Sequence, residues 1–124
     1  MDKSGIEEQI TEKGLTAPRV TPTDIEACIA SEHYFTGWHG MLGAFGQKED
    51  HSVYTGISKP KKSLEHLTFC VLVLKNGYTV TGESACASPE NFDAEIGRNI
   101  ARKKAVEKIW PLEGYLLKQR MLEQ

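Results

Sequence analysis

The apolar residues of this chain concentrate in one stretch, and their spacing changes partway along it. Leu67 to Leu74 (LTFCVLVL) is nearly continuous apolar sequence, rich in β-branched and aromatic residues and of strand length. It predicts a strand covered on both faces. Lys75-Asn76-Gly77-Tyr78 follows, and Asn-Gly between two strand-like runs predicts a type I′ hairpin turn, with positive φ at both central residues. Thr79-Val80-Thr81 alternates as the returning strand. Ser88-Pro89-Glu90 then supplies an N-cap hydroxyl, a first-turn proline and a carboxylate for the positive end of a helix dipole, so a long helix is predicted from there. Pro111 lacks an N–H donor and biases Trp110 toward extended backbone. The helix is therefore predicted to stop or kink, with Leu112, Tyr115, Leu116 and Leu122 forming a short amphipathic tail helix.

Projected at about 100° per residue, Phe92, Ile96, Ile100, Val106 and Trp110 share one apolar sector. Gly97, Ala101 and Ala105 make a flat row that permits close approach to a sheet. The bulky sector is expected to meet the first helix or a second subunit, so a homodimer is expected. Asn91, Arg98 and Arg102 line a further sector, with Glu95 beside them.

Upstream, Thr21-Pro22-Thr23-Asp24 opens a first helix, with Thr21 as its cap. Ile25, Ala27, Cys28, Ile29 and Phe35 are its predicted buried side, and it is predicted to end between Tyr34 and Gly37. Residues 37–62 carry many glycines and no sustained period, which predicts mainly loop, with Val53-Tyr54-Thr55 as a short edge strand. This stretch holds Trp38, His39, Phe45 and His51, and long loops in small domains are often functional. Met1 to Arg19 is polar, with Ile6 and Ile10 spaced as on a short helix. The expected organisation is a flexible or loosely docked arm over residues 1–18 and a single α+β domain over 19–124. In that domain a small antiparallel sheet, centred on a β-hairpin, packs against a first helix and a long C-terminal helix followed by a short tail helix.

With 124 residues one domain is the default. A formal charge of -2 provides no overall basic field, so any anion site must be local. Cys28, Cys70 and Cys86 are odd in number and lie largely in apolar runs, which predicts reduced thiols and no disulfide. The N-terminus lacks a signal peptide's pattern, and no apolar run nears the roughly 20 residues of a membrane helix. A cytoplasmic protein without membrane contact is expected.

Candidate chemistry is sparse. Arg98 and Arg102 with Asn91 suit a phosphate or carboxylate, since guanidinium forks match planar oxyanions, but Glu95 favours an ordinary surface ion pair with Arg98. The histidines at 33, 39, 51 and 66 show no ligand spacing, so no metal and no cofactor are expected. Gly82-Glu83-Ser84-Ala85-Cys86 lacks the elbow of a Ser or Cys nucleophile, and no catalytic residue is assigned. Ser84, Ser88 and the first turn of the long helix can cradle an anion, in competition with Glu90 and Asp93. The lysines at 59, 61 and 62 read as a guard against edge pairing.

Two resemblances follow from particular residues. The order helix, strands, then a helix carrying Arg98-Asn99-Ile100-Ala101-Arg102-Lys103-Lys104-Ala105 resembles a double-stranded-RNA-binding domain. In that family the basic group stands at the helix's first turn, whereas here Glu90, Asp93 and Glu95 occupy it. The run from Leu67 to Arg120, with TVTGESACASPENFDAEIG at its centre and RVTPTDIEACIASEHYF upstream, resembles a family of small tailed-phage proteins. That family is named after gene product forty-nine of one phage and gene sixty-six of another. The resemblance implies a phage or prophage origin and bacterial cytoplasmic expression, and brings no catalytic residues.

The preferred reading is a non-enzymatic phage accessory protein, with a host-takeover or anti-defence role. It binds either a host or defence protein or a small anionic, nucleotide-like ligand. The candidate ligand-binding residues are Tyr34, Trp38, His39, Asn91, Arg98 and Arg102, aromatics stacking on a base and arginines taking phosphates. The alternative is a nucleic-acid-binding module using Lys59, Lys61, Lys62, Arg102, Lys103 and Lys104.

Overall fold

The computed structural model describes residues 3–46 and 62–124. Strands β1 (Ile29–Thr36), β2 (Leu67–Leu74) and β3 (Thr79–Ala85) form an antiparallel sheet in the order β1-β2-β3. Helices α1 (Lys3–Glu12), α2 (Pro22–Ala27), α3 (Gly37–Gly46), α4 (Lys62–Glu65) and α5 (Ala94–Glu123) complete an α+β architecture.

Strand alternation places the core. Thr68, Cys70, Leu72 and Leu74 of β2 and Val80 of β3 are buried, together with Ile25 of α2 and Ala101, Ala105 and Ile109 of α5. Leu67, Phe69, Val71 and Val73 point the other way and are only half-buried. The predicted two-sided burial of β2 is thus corrected. Being the middle strand satisfies its backbone, while the second face is shielded mainly by neighbours such as Phe35, which stacks on Phe69 at 5.5 Å.

Small residues set the distance between α5 and the sheet. Gly97, Ala101, Ala105 and Ile109 are the buried row of α5, and β3 answers with Gly82. A Cβ on Gly82 would overlap the Ala101 carbonyl oxygen and the Ala105 amide nitrogen. The predicted flat row is therefore the seat of the helix. It also fixes the helix's rotation: within this chain Val106 and Trp110 of the bulky sector pack against the core, while Ile96 and Ile100 are 57% and 41% exposed.

The Thr21 box is present as read: Asp24 N–H donates to Thr21 Oγ1, and Thr21 N–H donates to the Asp24 carboxylate. Its helix is much shorter than expected. After Cys28 the chain becomes β1, because Ser31, His33 and Phe35 alternate with Glu32 and Tyr34 and the segment pairs with β2, with one irregularity between Ile29 and Ser31. The glycine-rich stretch expected as loop contains α3, and α4 begins at its last residue, Lys62. Val53-Tyr54-Thr55, His51, Lys59 and Lys61 lie outside the described residues.

Three boundaries move for local reasons. Gly77 has φ +90° but Asn76 does not have positive φ, so the hairpin is not type I′. Gly77 N–H donates to Leu74 O and Leu74 N–H to Tyr78 O, the pattern of a type I turn closed by a glycine bulge. Pro89–Asn91 forms a separate 3-10 turn, and Ser88 makes no side-chain cap. The helix begins only at Ala94, where Asp93 accepts from Ile96 N–H at 3.0 Å. Pro111 does not stop α5. Both Pro111 and Glu107, whose carbonyl loses its donor, are exposed, so water can serve the freed acceptor. The N-terminal segment forms α1 and is tied by a two-pronged Arg19–Glu7 pair at 2.8 and 2.6 Å.

Candidate functional site

The last residue of β1 begins a small cleft. Thr36 Oγ1 accepts from His39 N–H, and His39 Nδ1 accepts from Thr36 N–H, both at 3.1 Å. This is a reciprocal N-cap of α3 with imidazole in the place usually held by Glu or Gln. Because Nδ1 accepts a backbone proton, the neutral ring carries its own proton on Nε2. Phe92, between the 3-10 turn and α5, and Ala94 and Arg98 at the start of α5 face this corner. Phe92 stacks on His66 at 4.5 Å, which fixes the wall. Tyr34, Phe35 and Thr68 close a cavity of about 100 Å³.

Three of the six predicted residues, Tyr34, His39 and Arg98, therefore line one cleft. Arg98 makes no ion pair with Glu95 among the described residues, contrary to the surface pair expected for it. The cleft offers a guanidinium, an imidazole and aromatic edges around a space well below the roughly 300–1,000 Å³ of sites for drug-sized ligands. It has room for one carboxylate or phosphate group and not for a whole nucleotide.

The other three predicted residues are placed elsewhere. Trp38 is half-buried in the first turn of α3. Asn91 closes the 3-10 turn through its N–H to Ser88 O. Arg102 is held by two carboxylates: Nη1 and Nη2 donate to Glu26 at 3.1 and 2.7 Å, and Nε and Nη2 donate to Glu32 at 3.0 and 3.2 Å. Tyr34 Oη donates to the same Glu32 at 2.7 Å. This network joins α2, β1 and α5. Its hydrogen bonds raise Arg102 above its ordinary range, and those from Arg102 first and Tyr34 second hold the Glu32 carboxyl below its own. Burial, then donation to Glu32, pushes the Tyr34 phenol up.

Phe35, Thr36, Thr68, Phe92 and Ala94 also line the cleft but were not candidates from sequence. Thr36 and His39 did carry a signal, a capping residue three positions before a side-chain acceptor. It is hard to see because the acceptor is histidine.

A larger groove of about 680 Å³ lies at the opposite end of the sheet, between α2, the β2–β3 turn and the C-terminal part of α5. Cys28 is on its floor, its thiol donating to Glu113 Oε1 at 3.0 Å and to Asp24 O at 3.2 Å. Burial and the neighbouring Glu113 push this thiol up to about 11, so it is protonated near neutral pH and a poor nucleophile. Cys86 donates to Ser88 O at 3.1 Å, Cys70 is buried, and all three cysteines are free. Among the described residues no three His, Cys, Asp or Glu side chains converge as metal ligands, and no helix is long and apolar enough to cross a membrane.

Residues 20–121 match the model of the Phage protein (N4 Gp49/phage Sf6 gene 66) family. No curated protein and no solved structure matches the chain. The match spans most of the sequence, including every strand, α2 and nearly all of α5, and the chain belongs to this phage protein family.

Proposed function

We propose that this phage protein is a non-enzymatic accessory factor that works in the bacterial cytoplasm by binding an anionic group. That group is presented by a host or defence protein, or by a small nucleotide-like ligand through its phosphate. The observation that carries the reading is Arg98, a cation without an ion pair among the described residues, facing the His39 corner across a cleft walled by Tyr34, Phe35 and Phe92. Guanidinium and imidazole donors select an oxyanion, and the aromatic walls accept a flat or apolar neighbour beside it. The test is an amide NMR titration with inorganic phosphate, mononucleotides and phosphorylated or acidic peptides. Shifts at Phe35, His39 and Ala94 that vanish in Arg98→Ala support it. A panel that leaves these amides unmoved overturns it.

One observation favours nucleic acid as a second reading. α2, the three strands and α5 follow the element order of a double-stranded-RNA-binding domain, and Lys62, Lys103 and Lys104 are exposed. Arg102 is already engaged by Glu26 and Glu32, and Asp93 and Glu95 stand at the first turn of α5, where phosphates would approach. Gel shifts with duplex RNA and DNA at two salt concentrations decide between the readings, because phosphate-driven binding falls steeply with salt.

A further inference from the structure

Residues 111–123 of α5 run past the core, whose last buried position on this helix is Ile109. On this tail Leu116 is 40% exposed and Tyr115 74%, and both line the groove described above. The same tail forms one wall of the 680 Å³ groove, which Cys28 and Leu74 also line. An unfilled apolar groove and an uncovered apolar helix thus share one place on the surface.

The charges on that wall are self-complementary. Glu113 and Arg120 both line the groove and stand seven residues apart, close to two helical turns, on one stripe. In an antiparallel pairing of two such tails about a two-fold axis between Leu116 and Leu117, residue positions sum to a constant. Glu113 of each copy then meets Arg120 of the partner subunit, twice, and the leucines meet at the centre. A two-fold interface repeats each contact in this way.

We infer that a second copy of this chain lays its α5 tail antiparallel along the groove, each tail seated between its partner's tail, α2 and the β2–β3 turn. Size supports seating rather than a bare tail-to-tail contact. A strip of helix about 20 Å long and 10 Å wide falls short of the roughly 800 Å² per partner of a stable interface. The open groove beside the tail adds α2 and the β2–β3 turn to the contact, as when a helix lies in a groove. The surface is separate from the Arg98 cleft and independent of what that cleft binds.

Sedimentation equilibrium on the full chain tests the inference, with wild type, Glu113→Arg, Arg120→Glu and the double exchange compared. Wild type is expected to dimerise in the micromolar range. Each single reversal places like charges opposite one another twice and weakens the dimer by about tenfold or more, and the double exchange restores it. Leu116→Glu, at a part-exposed central position, is expected to be monomeric with its helical circular dichroism retained. A wild-type monomer at high micromolar concentration overturns the inference. So do reversals that leave dimerisation unchanged, a double exchange that fails to restore it, or a groove that takes up foreign amphipathic peptide while the chain stays monomeric.

Discussion

The backbone of Gly82 in β3 lies directly beneath the carbonyl of Ala101 in α5, with no room for a side chain between them. Gly82→Ala must therefore lift the helix from the sheet rather than rotate a side chain aside. A loss of about 3 kcal/mol is expected in urea unfolding, at the upper end of overpacking effects. Gly77→Ala is the contrasting case. Space there is open, but φ is +90°, and a loss of about 1–2 kcal/mol follows from backbone strain alone.

Arg102→Gln tests the network that ties α2 and β1 to α5. Glu26 and Glu32 have side chains 56% and 37% exposed, so solvent screening limits the expected loss at neutral pH to about 1 kcal/mol. The Glu32 carboxyl is held low in the folded state, chiefly by Arg102. Its contribution is present above the unfolded value and is lost as pH falls through the lowered folded value. The gap between wild type and variant in thermal melts should accordingly close as pH drops below about 4.5, the ordinary carboxyl value.

Cys28 predicts the opposite pH direction. Its thiol is raised from 9.0 to about 11 by burial and by Glu113, so the folded state keeps a proton that the unfolded chain releases. Stability from this group is complete below pH 9 and declines as pH rises toward 11. Cys28→Ala should flatten that part of the wild-type melting profile. Alkylation at pH 8 should be slow at Cys28, and Glu113→Gln should accelerate it by removing the negative charge that favours the protonated thiol.

Pro111→Ala returns an N–H to the exposed Glu107 carbonyl. Because the tail beyond Ile109 is outside the core, the gain is local. Amides just after position 111 should exchange about tenfold more slowly, while the melting temperature changes little.

Elements whose signals lie within a few residues were legible in the sequence: the Thr21–Asp24 box, the β2–β3 hairpin and the Gly97-Ala101-Ala105 row. Those decided by distant partners were not. β1 reads as the end of a helix until β2 is placed beside it, and α3 is obscured by the glycines that open and close it. The helix start was misplaced because Ser88-Pro89-Glu90 and Asp93 are both plausible caps, and only Asp93 has its side chain in place to accept. The site was half legible for the same reason. Tyr34, His39 and Arg98 come from three elements, and what unites them is β1 docking on β2. Arg102, alike in type and on the same sector, is drawn to Glu26 and Glu32 by that docking.

The strands differ greatly in how much chain must close to join them. β2 and β3 meet across residues 75–78, whereas β1 reaches β2 only across residues 37–66. Loop closure disfavours the second event by about 2 kcal/mol more than the first. Leu67 to Ile109, a hairpin with its covering helix, is thus expected to assemble early and β1 to join it late. The corner built by Thr36, His39 and Arg98 exists only after that arrival, so anything captured there bears directly on the last step of folding.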